Sequence, residues 1–163
     1  ASDVETARAH AKQAAAKVPD GTTVGLLALW GDFTLQKNEQ VPAVFLIGGI
    51  GITPVRSIIA QATHDRTHHR ITLIYSNRTP AQAAYADELA ELARINENFN
   101  FVPVYTDAEG FVNADTVRRN VPDIAAPRYY LAGPEQMVKA MRKVLAEVGA
   151  DEDNIKTEEF EGY

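Results

Sequence analysis

The 163-residue sequence predicts an α/β fold built on a five-stranded parallel sheet with helices on both faces. Three observations carry this expectation. From Val41 onward, short apolar runs alternate regularly with amphipathic segments. The first of those runs is closed by glycines and followed at once by a helix start. The runs are spaced far enough apart for helical crossovers, the connection that parallel strands require.

Each element has its own local reason. Near the N-terminus, Ser2 and Glu5 stand at capping-box spacing, and the alanine-rich stretch Val4 to Lys17 favours helix. Pro19-Asp20-Gly21 stops it, Thr22 to Leu29 reads as a strand, and Gly31-Asp32 turns the chain before Phe33-Thr34-Leu35. Gln36 to Pro42 is polar and reads as a connector. Val44-Phe45-Leu46-Ile47 is apolar throughout, as suits a strand covered on both faces. Thr53 and Pro54 offer an N-cap and a first-turn proline for a helix to about Ala62. Ile71 to Tyr75 is the second strand. Thr79-Pro80, with Gln82 following, starts a second helix whose apolar face is Tyr85, Leu89 and Leu92.

Phe99 to Tyr105 is the third strand, and Asn113 caps a short helix to about Arg119. Tyr129 to Ala132 is the fourth strand, and Gly133-Pro134 opens a helix with Met137, Met141, Leu145 and Val148 in register. Asn154-Ile155-Lys156 is a short fifth strand before an acidic, aromatic tail. The chain is therefore expected to divide into an N-terminal helix–strand segment, 1–36, and a sheet domain, 41–163.

Composition narrows the function. A formal net charge of -6 argues against general affinity for nucleic acid or an anionic membrane. With no cysteine, the chain holds no disulfide framework, thiolate zinc site or cysteine-ligated iron–sulfur cluster. No apolar run approaches the roughly 20 residues that span a bilayer. The first residues lack a signal-peptide layout, so the expected setting is cytoplasmic.

Four segments carry chemistry. Gly48-Gly49-Ile50-Gly51-Ile52-Thr53-Pro54 joins the first buried strand to a helix. Bare backbone there turns tightly and approaches a ligand closely, and a helix start suits a pyrophosphate. The same segment also reads as a ligand-free glycine turn. Gly133-Pro134-Glu135-Gln136-Met137 stands between the fourth strand and its helix, and in a parallel sheet these two turns flank the crevice at the switch point. Ser76, Asn77 and Arg78 end the second strand with no carboxylate among them, which favours the 2′-phosphate of NADP(H), with NAD(H) as the alternative. Glu158-Glu159-Phe160-Glu161-Gly162-Tyr163 places two aromatics in a charged tail that either stacks on a flat ring or packs on the surface.

Taken together and in order, these segments resemble the ferredoxin–NADP reductase superfamily over roughly Asp32 to Tyr163. The resemblance rests on Gly31 to Leu35, Gly48 to Pro54, Ser76 to Thr79, Ala132 to Met137 and Glu159-Phe160. It implies a Rossmann-like NAD(P)-binding domain and hydride transfer between nicotinamide and flavin, with electrons passed on to an acceptor protein. By that resemblance Gly48, Gly49, Gly51, Thr53 and Pro54 hold the pyrophosphate. Ser76, Asn77 and Arg78 take the 2′-phosphate end, and Ala132, Gly133, Pro134 and Met137 lie beside the nicotinamide. Glu159 and Phe160 stand at the flavin, as the residues nearest the hydride path. Two departures are visible: Ala132 replaces a common cysteine, and the residues before Asp32 are too few for the family's flavin barrel. FAD or FMN is therefore expected only from a missing domain or another chain, with residues 1–36 a barrel remnant or replacement cap. A binding domain without turnover and a ligand-free engineered scaffold stay open as alternatives, as does self-association through a face left bare.

His64, His68 and His69, with Asp65 nearby, have residue types that bind metals. Their place between a helix and a strand, beside Arg66 and Arg70, favours a solvated loop and no metal site.

Overall fold

The computed structural model describes residues 33–160; the helix and strand expected over Val4–Leu29, and the turn at Gly31-Asp32, lie outside them. The described residues form one five-stranded sheet: β1 (Ala43–Gly48), β2 (Ile71–Asn77), β3 (Phe99–Tyr105), β4 (Arg128–Pro134) and β5 (Ile155–Phe160). Every pairing is parallel and the spatial order is β3-β2-β1-β4-β5. The expected fold class is the observed one. Its helices are α1 (Ile52–His64), α2 (Ala86–Ile95), the single turn α3 (Thr106–Glu109), α4 (Ala114–Asn120) and α5 (Glu135–Val148).

Strand alternation builds two separate cores. Phe45 and Ile47 point to one face and meet Val55 and Ile59 of α1 and Leu89 of α2. Val44 and Leu46 point to the other and meet Val117 of α4 with Val138, Met141 and Leu145 of α5. All six residues of β1 are buried, as expected of a central strand covered on both sides. Phe33 and Leu35 pack on the α1 side, where Phe33 meets the Tyr130 ring edge-on at 5.5 Å.

Local chemistry explains most boundaries and one miss. Asn113 Oδ1 accepts from the Thr116 N–H at 3.0 Å, so α4 is capped where expected. Gly149 ends α5 in the left-handed conformation, its N–H returning to Ala146. The second helix begins later than the Thr79-Pro80 signal implies. Pro80–Gln82 makes only a 3-10 turn, and Tyr85, at φ 60°, breaks the path before α2 begins at Ala86. Burying Ala83 in the α1-side core interrupts the helical path, and Tyr85 is left 46% exposed, not on an apolar face. Arg56 covers its ring at 5.0 Å and pairs with Glu88 at 2.7 Å, tying α1 to α2.

Among the described residues no helix is long and apolar enough to cross a membrane.

Candidate functional site

β1 and β4 are neighbours in the sheet, but β1 crosses to β2 while β4 crosses to β5. The connections leaving their carboxyl ends therefore run in opposite directions, which is the topology of a switch point. Register places Ile47 opposite Ala132 on β4 and Gly48 opposite Ser76 on β2. The motifs expected to carry chemistry are thus brought to one edge.

The glycines of the first turn have three different physical reasons. A Cβ on Gly48 would lie 2.0 Å from Met137 Sδ, so its bareness admits the Met137 side chain from α5. A Cβ on Gly51 would lie 2.5 Å from the Ala132 carbonyl oxygen, so its bareness lets the turn press against β4. Gly49 alone is exposed with nothing within 4 Å of that position, and its φ of 52° is the left-handed region glycine prefers. Beneath it, the fully buried Tyr75 sends its hydroxyl toward the Gly49 carbonyl at 3.4 Å. Burial pushes that phenol's pKa up.

Thr53 is not the N-cap that the sequence suggests. α1 starts at Ile52 with Gly51 as its cap and no side-chain capping bond. Thr53, exposed, donates its hydroxyl to the Ile50 carbonyl at 3.1 Å, while Pro54 sits in the first turn. The 3-10 turn Gly49–Gly51 runs straight into the helix and takes the capping position from the threonine. No acidic residue stands in the first turn of α1.

At the end of β4, buried Gly133 adopts φ 153°, and a Cβ there would lie 3.1 Å from the Gly48 carbonyl oxygen. Pro134 is exposed, and half-buried Met137 packs its sulfur against both glycines. Glu159 and Phe160 lie in β5 opposite Gly133 and Pro134; their side chains are outside the described residues. Glu158, opposite Ala132, buries Oε2 without a hydrogen-bond partner.

The end of β2 corrects one premise. The sequence shows no carboxylate beside Ser76, Asn77 and Arg78, yet α3, the turn that follows β3, supplies one. Asn77 pairs with Tyr105, and the chain after Tyr105 places Asp107 Oδ2 3.5 Å from Arg78 Nη2. The Asp107 N–H also donates to the Arg78 carbonyl at 3.2 Å. Nothing in local sequence marks Asp107, because its neighbour is set by strand order. Ser76 is half-buried; Asn77 is buried and its Nδ2 completes no hydrogen bond, though its side-chain amide opposes the burial-driven rise in the Tyr75 phenol.

The histidine loop also departs from expectation. His64 is exposed beside Asp65, but His69 is buried, with Nε2 2.9 Å from the Gln36 carbonyl. Gln36 in turn receives the Tyr130 hydroxyl at 2.5 Å, so the expected connector is fastened to the sheet at its start. No group of three metal-ligating side chains converges among the described residues.

A five-stranded parallel sheet with a bare-backbone crossover at its switch point defines a dinucleotide-binding type of α/β domain. Residues 45–143 match the family described as the oxidoreductase NAD-binding domain, and the chain belongs to that family. It is similar to the reductase component of propane 2-monooxygenase from Rhodococcus jostii, at 31% identity over 86% of this chain and 42% of the relative. A flavohemoprotein from Rhodopirellula baltica is 28% identical over 88% of this chain and 38% of its own length. Among solved structures, flavohemoglobin from Malassezia yamatoensis with bound FAD and heme superposes with a TM-score of 0.71 at 28% identity, covering 80% of this chain and 35% of that one. The chain thus spans less than half the length of these relatives.

Proposed function

We propose that the chain is the NAD(P)H-binding module of a flavin-dependent reductase, and that the β1–β4 crossover receives the dinucleotide's pyrophosphate. The observation that carries this is Gly49: open, left-handed and leading into a 13-residue helix with no capping side chain and no acid in its first turn. Exposed backbone N–H groups and the positive helix end at such a place favour a diphosphate. A carboxylate in the first turn would oppose one.

In this reading Gly48, Gly49, Gly51, Thr53 and Pro54 form the pyrophosphate wall. Only Gly49 and the exposed Thr53 hydroxyl face the ligand; Gly48 and Gly51 keep Met137 and β4 close enough to fix the turn. Ser76, Asn77 and Arg78 take the adenosine ribose. Ala132, Gly133, Pro134 and Met137 wall the nicotinamide side, with Glu159 and Phe160 beyond them on β5. When bound, the dinucleotide supplies a hydride from nicotinamide C4 to a flavin N5. The flavin belongs to a further domain or another chain, as does the electron-acceptor protein.

Titration of the protein with NADH and NADPH, followed by nicotinamide fluorescence, tests the binding. Saturable changes are expected, and Gly49→Val, which puts a branched side chain into the open space, weakens them at least about tenfold by steric exclusion. Fluorescence indifferent to protein at millimolar concentration overturns the reading.

A further inference from the structure

We infer that Tyr75 is a positioning residue for the pyrophosphate turn: its buried hydroxyl holds the Gly49 carbonyl inward and so turns the Ile50 N–H out toward the ligand. The dinucleotide reading above is the premise, and Tyr75 itself touches no ligand.

Register sets Tyr75 of β2 beside Ile47 of β1, two residues before Gly49, and its ring joins the α1-side core. The ring is fully buried, and its hydroxyl faces the Gly49 carbonyl at 3.4 Å. The same carbonyl also accepts from the N–H of Ile52, where α1 begins. Two donors, one from the turn and one from the sheet beneath it, therefore set its direction.

The peptide plane carries that direction to the surface. A trans peptide points its C=O and the following N–H to opposite sides, and no described peptide bond is cis. Drawing the Gly49 oxygen toward a buried phenol thus points the Ile50 N–H away from the core, where Ile50 is 47% exposed. Glycine at φ 52° has no Cβ to restrict the plane that follows it, so a fixed donor beneath it matters more than under another residue.

The surroundings of the phenol favour the same proton direction. Burial raises the Tyr75 pKa, while the Asn77 side chain and the Ala84 backbone lower it. A neutral group lowers a phenol's pKa by donating toward its oxygen. The hydroxyl's own proton is then left for an acceptor, and the Gly49 carbonyl is the one it faces. At 3.4 Å the bond is long, so its hold on the turn is modest.

Equilibrium titration of the full chain with NADH, ADP-ribose and adenosine 2′-monophosphate tests the assignment, since the last lacks a diphosphate. Tyr75→Phe keeps the ring and removes only the hydroxyl. It should weaken NADH and ADP-ribose alike by about fivefold and leave the monophosphate within about twofold. A general loss of structure would not discriminate among the three. Tyr129→Phe serves as the control: it removes an equally buried hydroxyl, bonded to the Ile124 carbonyl at 2.8 Å in the other core. That change should lower the urea midpoint without weakening NADH. In the 15N-labelled wild type, saturating ADP-ribose should shift the Ile50 amide resonance, and the shift should shrink in Tyr75→Phe. Unchanged NADH affinity in Tyr75→Phe, equal losses for all three ligands, or an Ile50 amide unmoved by bound ADP-ribose overturns the inference and leaves dinucleotide binding standing. A wild-type chain that binds neither NADH nor ADP-ribose overturns the dinucleotide reading and the inference together.

Discussion

The two halves of the sheet's carboxyl edge are built from different materials. At the β1–β4 crossover the working surface is main chain, kept bare by glycines wedged against Met137, the Ala132 carbonyl and one another. At the β2–β3 corner it is side chain, an exposed guanidinium and carboxylate resting on a backbone hydrogen bond. At Gly48, Gly51 and Gly133 an added atom meets Met137 or neighbouring backbone, so those positions are tied to packing, while Gly49 is open. The corner is not tied in this way, since its charges stand in water. Three of the glycines resist substitution, whereas the exposed side chains of the corner can change without disturbing the fold.

The sharpest way to break this comparison is Gly51→Val. The new Cβ would overlap the Ala132 backbone at 2.5 Å, and neither segment is a flexible side chain that can yield. A loss of about 3 kcal/mol or more is expected from overpacking at such a place, read as a lowered urea midpoint together with lost NAD(P)H binding. A variant of wild-type stability would show that the crossover is not the rigid half.

The next effect is a pH effect rooted in β4. Tyr129 is fully buried, and desolvation, helped by nearby Asp123, pushes its phenol from 10 up to about 12. The folded state thus holds the proton that the unfolded chain releases near pH 10. This contribution is complete below pH 10, falls as the pH rises through the interval to about 12, and is spent above it. The loss amounts to about 3 kcal/mol, so in urea unfolding from pH 9 to 12 Tyr129→Phe should lose about that much less than the wild type. Parallel curves for the two proteins would contradict it.

Gly49→Ala divides the crossover itself. Its Cβ meets nothing within 4 Å, so only the left-handed backbone at φ 52° resists. The expected cost is about 1 kcal/mol, with the cooperative transition preserved. A loss equal to that of Gly51→Val would mean that all three glycines serve one packing purpose. The smallest effect belongs to the corner: Arg78→Ala should move stability by no more than about 0.5 kcal/mol, because an exposed pair gains little over water. A larger drop in urea midpoint would show the corner to be structural and erase the contrast.

How much of this was legible in the sequence follows the same division. Gly48 to Pro54 could be read as a bare turn from strand to helix because glycine, strand end and helix start are consecutive in the chain. Asn113 could be read as a cap because its partner is three residues away. Thr53 and Thr79 carried the same signal and cap nothing with their side chains, since the first helix already begins at Ile52 and a 3-10 turn, Pro80–Gln82, stands where the second was expected to start. His69 looked solvated among its charged neighbours, yet it is buried against Gln36, 33 residues away.

Among the described residues the sequence by itself determined the five strands, the four longer helices and the two glycine turns, because hydrophobic periodicity and backbone permissiveness are properties of neighbouring residues. The tertiary structure alone decided that Gly51 is pressed against Ala132, that Met137 fills the space Gly48 leaves, and that Arg78 shares its corner with Asp107. Those facts depend on which strands lie side by side and in what register. Parallel pairing joins segments separated by whole crossovers, so the chemistry of their ends exists only once the sheet has formed.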